Sequence, residues 1–332
     1  MKYFFCLILF FGLLFGCSKK EQTPTASLKP SFGNRNEVVL VIDDSLWVGS
    51  LGDSIRAHLA QTTAESTTTE PIFDLVQLDP SIFTTRAKTA RNIVLFSIHT
   101  QHEFLLQKSV HATPQNFFFL RAKTKSDLLA MFKKRADSVI SVFKASELNE
   151  ETHEVVRTST KELRELKEFF GCTLKIPDDY HLQVKSEFPF LWYQKDLSSG
   201  SVNLVLYEFP IAEIENNKGS VEEHLLQARN FIGKKFIKTA KDTAYITTNT
   251  KEYQFVSKEN MLQMPAYRIV GSWETVNDYL KGPFISYAIR DEYYQRYLFV
   301  EGYVNNPLKN KRDQILEVEA IIKTINFNEN GN

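Results

Sequence analysis

The 332-residue chain predicts a mixed fold, α/β in its N-terminal part and α+β in its C-terminal part. Three observations predict it. Before residue 122, apolar β-branched runs surround a helix-period segment, the pattern of a sheet layered with helix. A long helical periodicity then occupies 123–171. After Gly171, short strand-like runs and turn residues dominate, with one helix inside and one at the end. That is the order of an antiparallel sheet with packing helices. Composition agrees with a globular chain: 43% hydrophobic and 24% charged residues exclude disorder, a collagen-like chain and a polytopic membrane protein. Forty Lys and Arg balance forty Asp and Glu. The usual electrostatic argument for a nucleic-acid partner is therefore missing.

The N-terminus reads as an address. Met1-Lys2-Tyr3 precedes an apolar run, Phe4 to Phe15, and then Gly16-Cys17. A basic start, a short apolar stretch and a small residue describe a signal peptide, residues 1–16. The run would make a helix of about 18 Å, short of a bilayer core of about 30 Å. Leu14-Phe15-Gly16-Cys17 resembles the lipobox of bacterial lipoproteins, although Phe15 is bulkier than usual there. The resemblance implies that Cys17 receives a diacylglyceryl group and becomes the first mature residue. Cys6 leaves with the signal and Cys17 carries lipid, so Cys172 has no cysteine to pair with. Residues 17–35 are then a lipidated cysteine and a flexible tether, polar and Pro/Gly-containing, with a reach of roughly 25 Å.

The N-terminal α/β domain spans 36–122. Glu37 to Ile42 is a buried strand, and Ser50 is expected to cap a helix with Leu51, Ile55 and Leu59 on one face. Strands are expected at Ile72–Leu78, Ile93–Ile98 and Asn116–Arg121. A helical connection, 123–171, begins near Ser126, breaks at Ser146–Asn149 and resumes from Val155 to Phe170, with Gly171 as its stop. The C-terminal α+β domain, 172–328, holds strands at Cys172–Ile176, Leu182–Lys185, Phe190–Tyr193 and Val202–Tyr207. A helix at Ser220–Lys235 precedes strands at Ala244–Thr248, Tyr267–Trp273, Phe284–Arg290 and Tyr297–Val304. A helix at Lys311–Ile325 closes the chain. This order resembles the PsbP/Mog1-like sandwich, a likeness that implies fold and no activity.

Chemistry is sparse. His99 and His102 stand three apart after a strand, not at the i, i+4 spacing by which two helical imidazoles meet one metal, so neither a metal nor a cofactor is expected. Ser141-Val-Phe-Lys144 matches S-x-x-K but lacks the companion motifs of that chemistry. Cys172, at a helix-to-strand junction, reads as a small core residue. Asp43 and Asp44 follow the first buried strand, where open α/β sheets hold ligands, and they also suit a strand-to-helix turn. Trp273, Glu274, Asp291 and Glu301 belong to an aromatic- and carboxylate-rich stretch that could line a sugar or peptide groove or fill a core.

The strings GSWE, GPFISY, EGYV and the later KR, with EVVLVIDDSLW near the other end, are similar to the uncharacterised Bacteroidetes lipoproteins grouped as domain of unknown function 4837. The resemblance implies a lipoprotein anchored in the cell envelope and supplies no catalytic residues. One acid, Glu21, follows Cys17 closely, which favours the periplasmic side over surface export. The leading expectation is a non-catalytic protein that binds an envelope protein or glycan. The alternative is a hydrolase of envelope glycan or peptide using carboxylates such as Asp43, Asp44, Glu274 and Asp291, and it requires two of them in one cleft.

Overall fold

The computed structural model describes residues 28–62, 70–186, 188–216, 218–239 and 243–327. The expected signal peptide, residues 1–16, and the expected lipidation site Cys17 lie outside the described residues. Among the described residues no helix is long and apolar enough to cross a membrane.

In the N-terminal unit, β1 (Glu37–Val41), β2 (Asp74–Leu78), β3 (Asn92–Ile98), β4 (Glu103–Lys108) and β5 (Asn116–Ala122) form one sheet in the order β2-β1-β3-β5-β4. Every pairing is parallel except β4 with β5. The apolar runs of β1, β3 and β5 occupy its centre, as continuous hydrophobic strands do. The edge strand β4 was not expected. Its polar and half-exposed residues carry little periodic signal.

Helix α1 (Ser50–Leu59) buries Leu51, Ile55 and Leu59 against the sheet. Its cap is Gly49, not Ser50, because a short helical turn at Asp44–Trp47 brings the chain in at φ 145°, a backbone angle open to glycine. Helix α2 (Lys125–Thr158) is capped by Thr124, whose hydroxyl accepts the Asp127 N–H at 3.1 Å. The break expected at 146–149 does not occur. Phe143, Glu147, Glu151 and Val155 continue one buried stripe at four-residue spacing. The helix stops at Thr158 instead, where Ser159 turns out and bonds back to the Val155 carbonyl at 2.6 Å. A separate helix, α3 (Arg164–Phe170), ends at Gly171 in the left-handed region, φ 62°.

Residues 28–35, expected to belong to a flexible tether, are instead held against the folded chain. Lys29–Pro30 pairs with Ala112–Thr113, Phe32 bridges to Ala90, and Arg35 joins Glu151. Backbone pairing and one long cation hold this polar segment although it has little to bury.

The C-terminal unit is an antiparallel sheet of β6 (His181–Lys185), β7 (Phe190–Leu197), β8 (Gly200–Pro210), β9 (Tyr245–Thr248), β10 (Phe255–Met261), β11 (Met264–Val276), β12 (Lys281–Asp291) and β13 (Arg296–Asn305). The order is β9-β11-β12-β13-β8-β7-β6, with β10 also on β11. Strand β10 was not expected. It forms a hairpin with β11 through Leu262 and Gln263, both at positive φ, and its Lys258, Glu259 and Asn260 mask its character. Cys172–Ile176 contributes only Cys172–Thr173, which pairs with Asn326–Phe327.

Helices cover both faces of this sheet. On one, α5 (Arg312–Lys323) packs Val318, Ile321 and Ile322 on Leu204, Ile285 and Val300, and Leu166 and Phe170 of α3 join the same core. On the other, α4 (Val221–Phe236) lays Leu225, Ala228 and Ile232 on Val205, Ile269 and Phe299. A capping box at Ser220 and Glu223 starts α4.

Candidate functional site

The two units meet where α2 passes α5. Leu128 to Phe143 of α2 belong to the N-terminal core, and Val155 belongs to the C-terminal one. Between these apolar ends the same stripe carries Glu147 and Glu151, one turn apart. Glu147, 1% exposed, accepts from Arg91 Nη1 at 2.9 Å, Asn92 Nδ2 at 2.7 Å and the Asn36 N–H at 3.0 Å. Glu151 receives Arg35 in a fork, Nε at 2.6 Å and Nη2 at 2.7 Å. Glu70 accepts the Lys311 and Arg312 N–H groups at 2.7 and 2.8 Å, where the exposed amides of α5 favour a carboxylate.

Beside this junction lies an open cleft of about 360 Å³ lined by Arg35, Glu151, Glu154, Thr158, Asp178, Asp179, Lys195 and Glu317. Glu317, on α5, accepts from the Tyr180 hydroxyl at 3.0 Å and from Lys195 Nζ at 3.0 Å, and Arg35 Nη1 stands 3.9 Å from it. Lys195 also reaches Asp179 at 2.9 Å. Burial pushes the Glu151 carboxyl up to about 7; the Arg35 charge opposes that rise and the Glu317 charge adds to it. Burial works against the Lys195 ammonium, but Glu317 and Asp179 outweigh it and hold Lys195 above its usual range. Burial, with Glu317, keeps the Tyr180 hydroxyl protonated. The cleft thus pairs a carboxyl that titrates near neutrality with a carboxylate held by a cation and a phenol.

The residues singled out from the sequence lie elsewhere. Asp43 caps the turn by accepting the Ser45 N–H at 2.8 Å, and Asp44 accepts from Gln77 at 2.9 Å; both are exposed at the far end of the N-terminal sheet. Trp273, 1% exposed, is a core residue edge-on to Tyr303. Glu301 is buried under α4, its carboxylate 2.9 Å from Arg229 Nε, with the Tyr207 hydroxyl donating at 3.2 Å. Burial raises the Glu301 carboxyl pKa, and Arg229 opposes that rise. Neither Trp273 nor Glu301 can line a surface groove in this packing. Asp291 is clamped at 3.1 Å to Arg296, which also donates to the Phe170 carbonyl. Glu274 and Asp291 sit at opposite ends of the β12 pairing, about 30 Å apart at strand rise. Asp43, Asp44, Glu274 and Asp291 therefore share no cleft.

His99 Nδ1 accepts the Gln101 N–H at 3.1 Å, and no three His, Cys, Asp or Glu gather for a metal among the described residues. Cys172 is buried, and burial pushes its thiol up to about 12, the state of an inert core thiol. The cleft residues escaped the sequence reading, although one signal was present. Glu147 and Glu151 fall in register with Phe143 and Val155, so two acids stand where an apolar stripe should continue.

Residues 159–324 match a family described as Domain of unknown function (DUF4837), and residues 31–156 match a second, Domain of unknown function (DUF8532). The two matches meet at the C-terminal end of α2. No curated protein matches. Among solved structures, the chain is similar to the Ran-binding protein Mog1p of Saccharomyces cerevisiae, at 8% identity and a TM-score of 0.30, over 47% of this chain and 90% of that one. It is also similar to LpqN of Mycobacterium tuberculosis, described as involved in cell envelope biogenesis, at 13% identity and a TM-score of 0.27, over 46% of this chain and 82% of that one.

Proposed function

The chain belongs to the family described as Domain of unknown function (DUF4837), and on that footing we propose that it is a lipid-anchored binding protein of the bacterial cell envelope, periplasm-facing, that takes a protein or glycan partner at the cleft between its units. One observation carries the binding reading. The cleft's charges come from both units and from α2, and they are preset by ion pairs within the chain, Arg35 on Glu151 and Lys195 on Glu317. Preset charge offers a polar partner complementary groups at little ordering cost. The Leu14-Phe15-Gly16-Cys17 string supports the anchor. A second reading, hydrolysis of envelope glycan or peptide, has one supporting feature: the Glu151 carboxyl is pushed up to about 7 in a cleft that also holds Glu317, and a carboxyl raised toward neutrality suits general acid–base work.

In-membrane photocrosslinking tests the binding reading. A probe at Thr158, on the cleft rim, is expected to give a discrete adduct that Lys195→Ala abolishes. The same adduct from a probe at Tyr279, far more exposed and outside the cleft, would overturn it, as would no adduct at Thr158. For the anchor, Cys17→Ser is expected to remove palmitate labelling, and persistent labelling would refute it. Turnover of envelope glycan fragments that Glu151→Gln eliminates would favour the hydrolase.

A further inference from the structure

Helices α1 and α2 cover one face of the N-terminal sheet; among the described residues no α-helix packs on the other, which the loop carrying Phe83 and Ala90 covers in part. That second face is apolar across all five strands. Leu78, Val41, Leu95, Phe119 and Leu105 lie side by side in register. Val41 is buried, Leu78, Leu95 and Phe119 are half-buried, and Leu105 is 36% exposed. Ile82, in the loop that folds over this face, is 56% exposed.

Cations border the face in a repeated arrangement. Arg86 lies over Phe32 at 5.5 Å, Lys88 over Phe83 at 5.8 Å and Arg121 over Phe119 at 5.2 Å. Glu103, on the same side, is paired with Arg121 at 2.9 Å. Residues 28–32 run along the border of this face, paired with Ala112–Thr113 and Ala90. Leu28 is where the described chain begins. Eleven residues on from Cys17, it stands at most about 40 Å of chain away from the anchor.

We propose that the helix-free face of the N-terminal sheet, with Arg86 and Lys88 at its rim, rests on the anionic headgroup surface of the membrane that holds the anchor. The inference rests on the lipid-anchor reading for its setting. Exposed apolar side chains beside aromatic rings suit the headgroup boundary, and basic side chains meet anionic lipid there. A basic patch beside the lipid anchor adds electrostatic attraction to anionic lipid. The chain enters the body along the border of this face, at Lys29 to Phe32, so the expected anchor is attached on its side.

The experiment uses the chain from Cys17 onward, coupled through the Cys17 thiol to a maleimide lipid in vesicles; Cys172, 0% exposed, is shielded from coupling. Hydrogen exchange is read by mass spectrometry. Segments 80–90 and 103–108 are expected to exchange at least about threefold more slowly on phosphatidylglycerol than on phosphatidylcholine vesicles. Arg86→Glu with Lys88→Glu, or separately Ile82→Asp, should remove the difference. Equal exchange on the two lipids overturns the proposal, as does protection that rises with protein density on phosphatidylcholine, the mark of a second copy. Because the anchor is attached chemically, a failure of cellular palmitate labelling leaves this result standing, and the converse also holds.

Discussion

Glu151 is a carboxyl whose surroundings resist its charge. It is 5% exposed, its carboxyl rises to about 7, and Arg35 offsets only part of the loss of water. The folded chain binds this proton more tightly than the unfolded chain does. The contribution to stability is therefore complete below the ordinary carboxyl pKa of 4.5 and is lost as pH climbs through about 7. Between pH 5 and pH 8 the parent should lose about 2 kcal/mol relative to Glu151→Gln, after allowing for screening at the cleft mouth. Urea midpoints of the two proteins at both pH values check this, and parallel pH profiles would remove Glu151 as the source. The Arg229–Glu301 pair shows the same opposition of burial and cation in a closed setting. It is sealed under α4, with Arg229 stacked 3.8 Å over Phe284, so its charge pairs with protein groups away from the cleft.

At the scale of elements, α5 lies close on its sheet because Gly302 of β13 has no side chain. A Cβ there would stand 1.7 Å from Val318 Cγ1. Gly302→Ala should cost about 2 kcal/mol or more, since a packed core absorbs an added methyl only by moving the helix. Val318→Ala in the same chain should recover part of the loss, as measured by thermal denaturation. A full loss that the second change leaves untouched would mean that α5 is not the element displaced. The α5 contact matters beyond its own core because the helix carries Glu317 into the cleft and presents Asp313 to Asn36 at 2.8 Å. A shift of α5 would thus be felt in both units.

For the whole molecule, α2 makes two cores one body. It supplies Phe132 and Phe143 to the first and Val155 to the second, with Glu147 locking the passage between them. Glu147→Ala would leave the half-buried Arg91 without this carboxylate, and would strip partners from the buried Asn92 and the Asn36 N–H. Removing one partner of a buried pair costs about 3–5 kcal/mol. The expected result in scanning calorimetry is that the single transition of the parent separates into two, the N-terminal unit melting first. One transition at an unchanged temperature would show that the units are coupled without Glu147.

Local periodicity determined much of this protein. The β-branched runs of β1, β3 and β5 were legible because central strands are apolar on both faces, and the stripes of α1, α4 and α5 because a helix satisfies its own backbone and shows one apolar face. The mixed fold followed from their order. Strands β4 and β10 were not legible, since an edge strand with polar residues has no periodic signature. The cleft was not legible either. Arg35 and Glu151 are separated by 116 positions and Asn36 and Asp313 by 277. Only tertiary packing decides which distant charges share a desolvated space, because burial, and not spacing along the chain, sets what each charge must find as a partner.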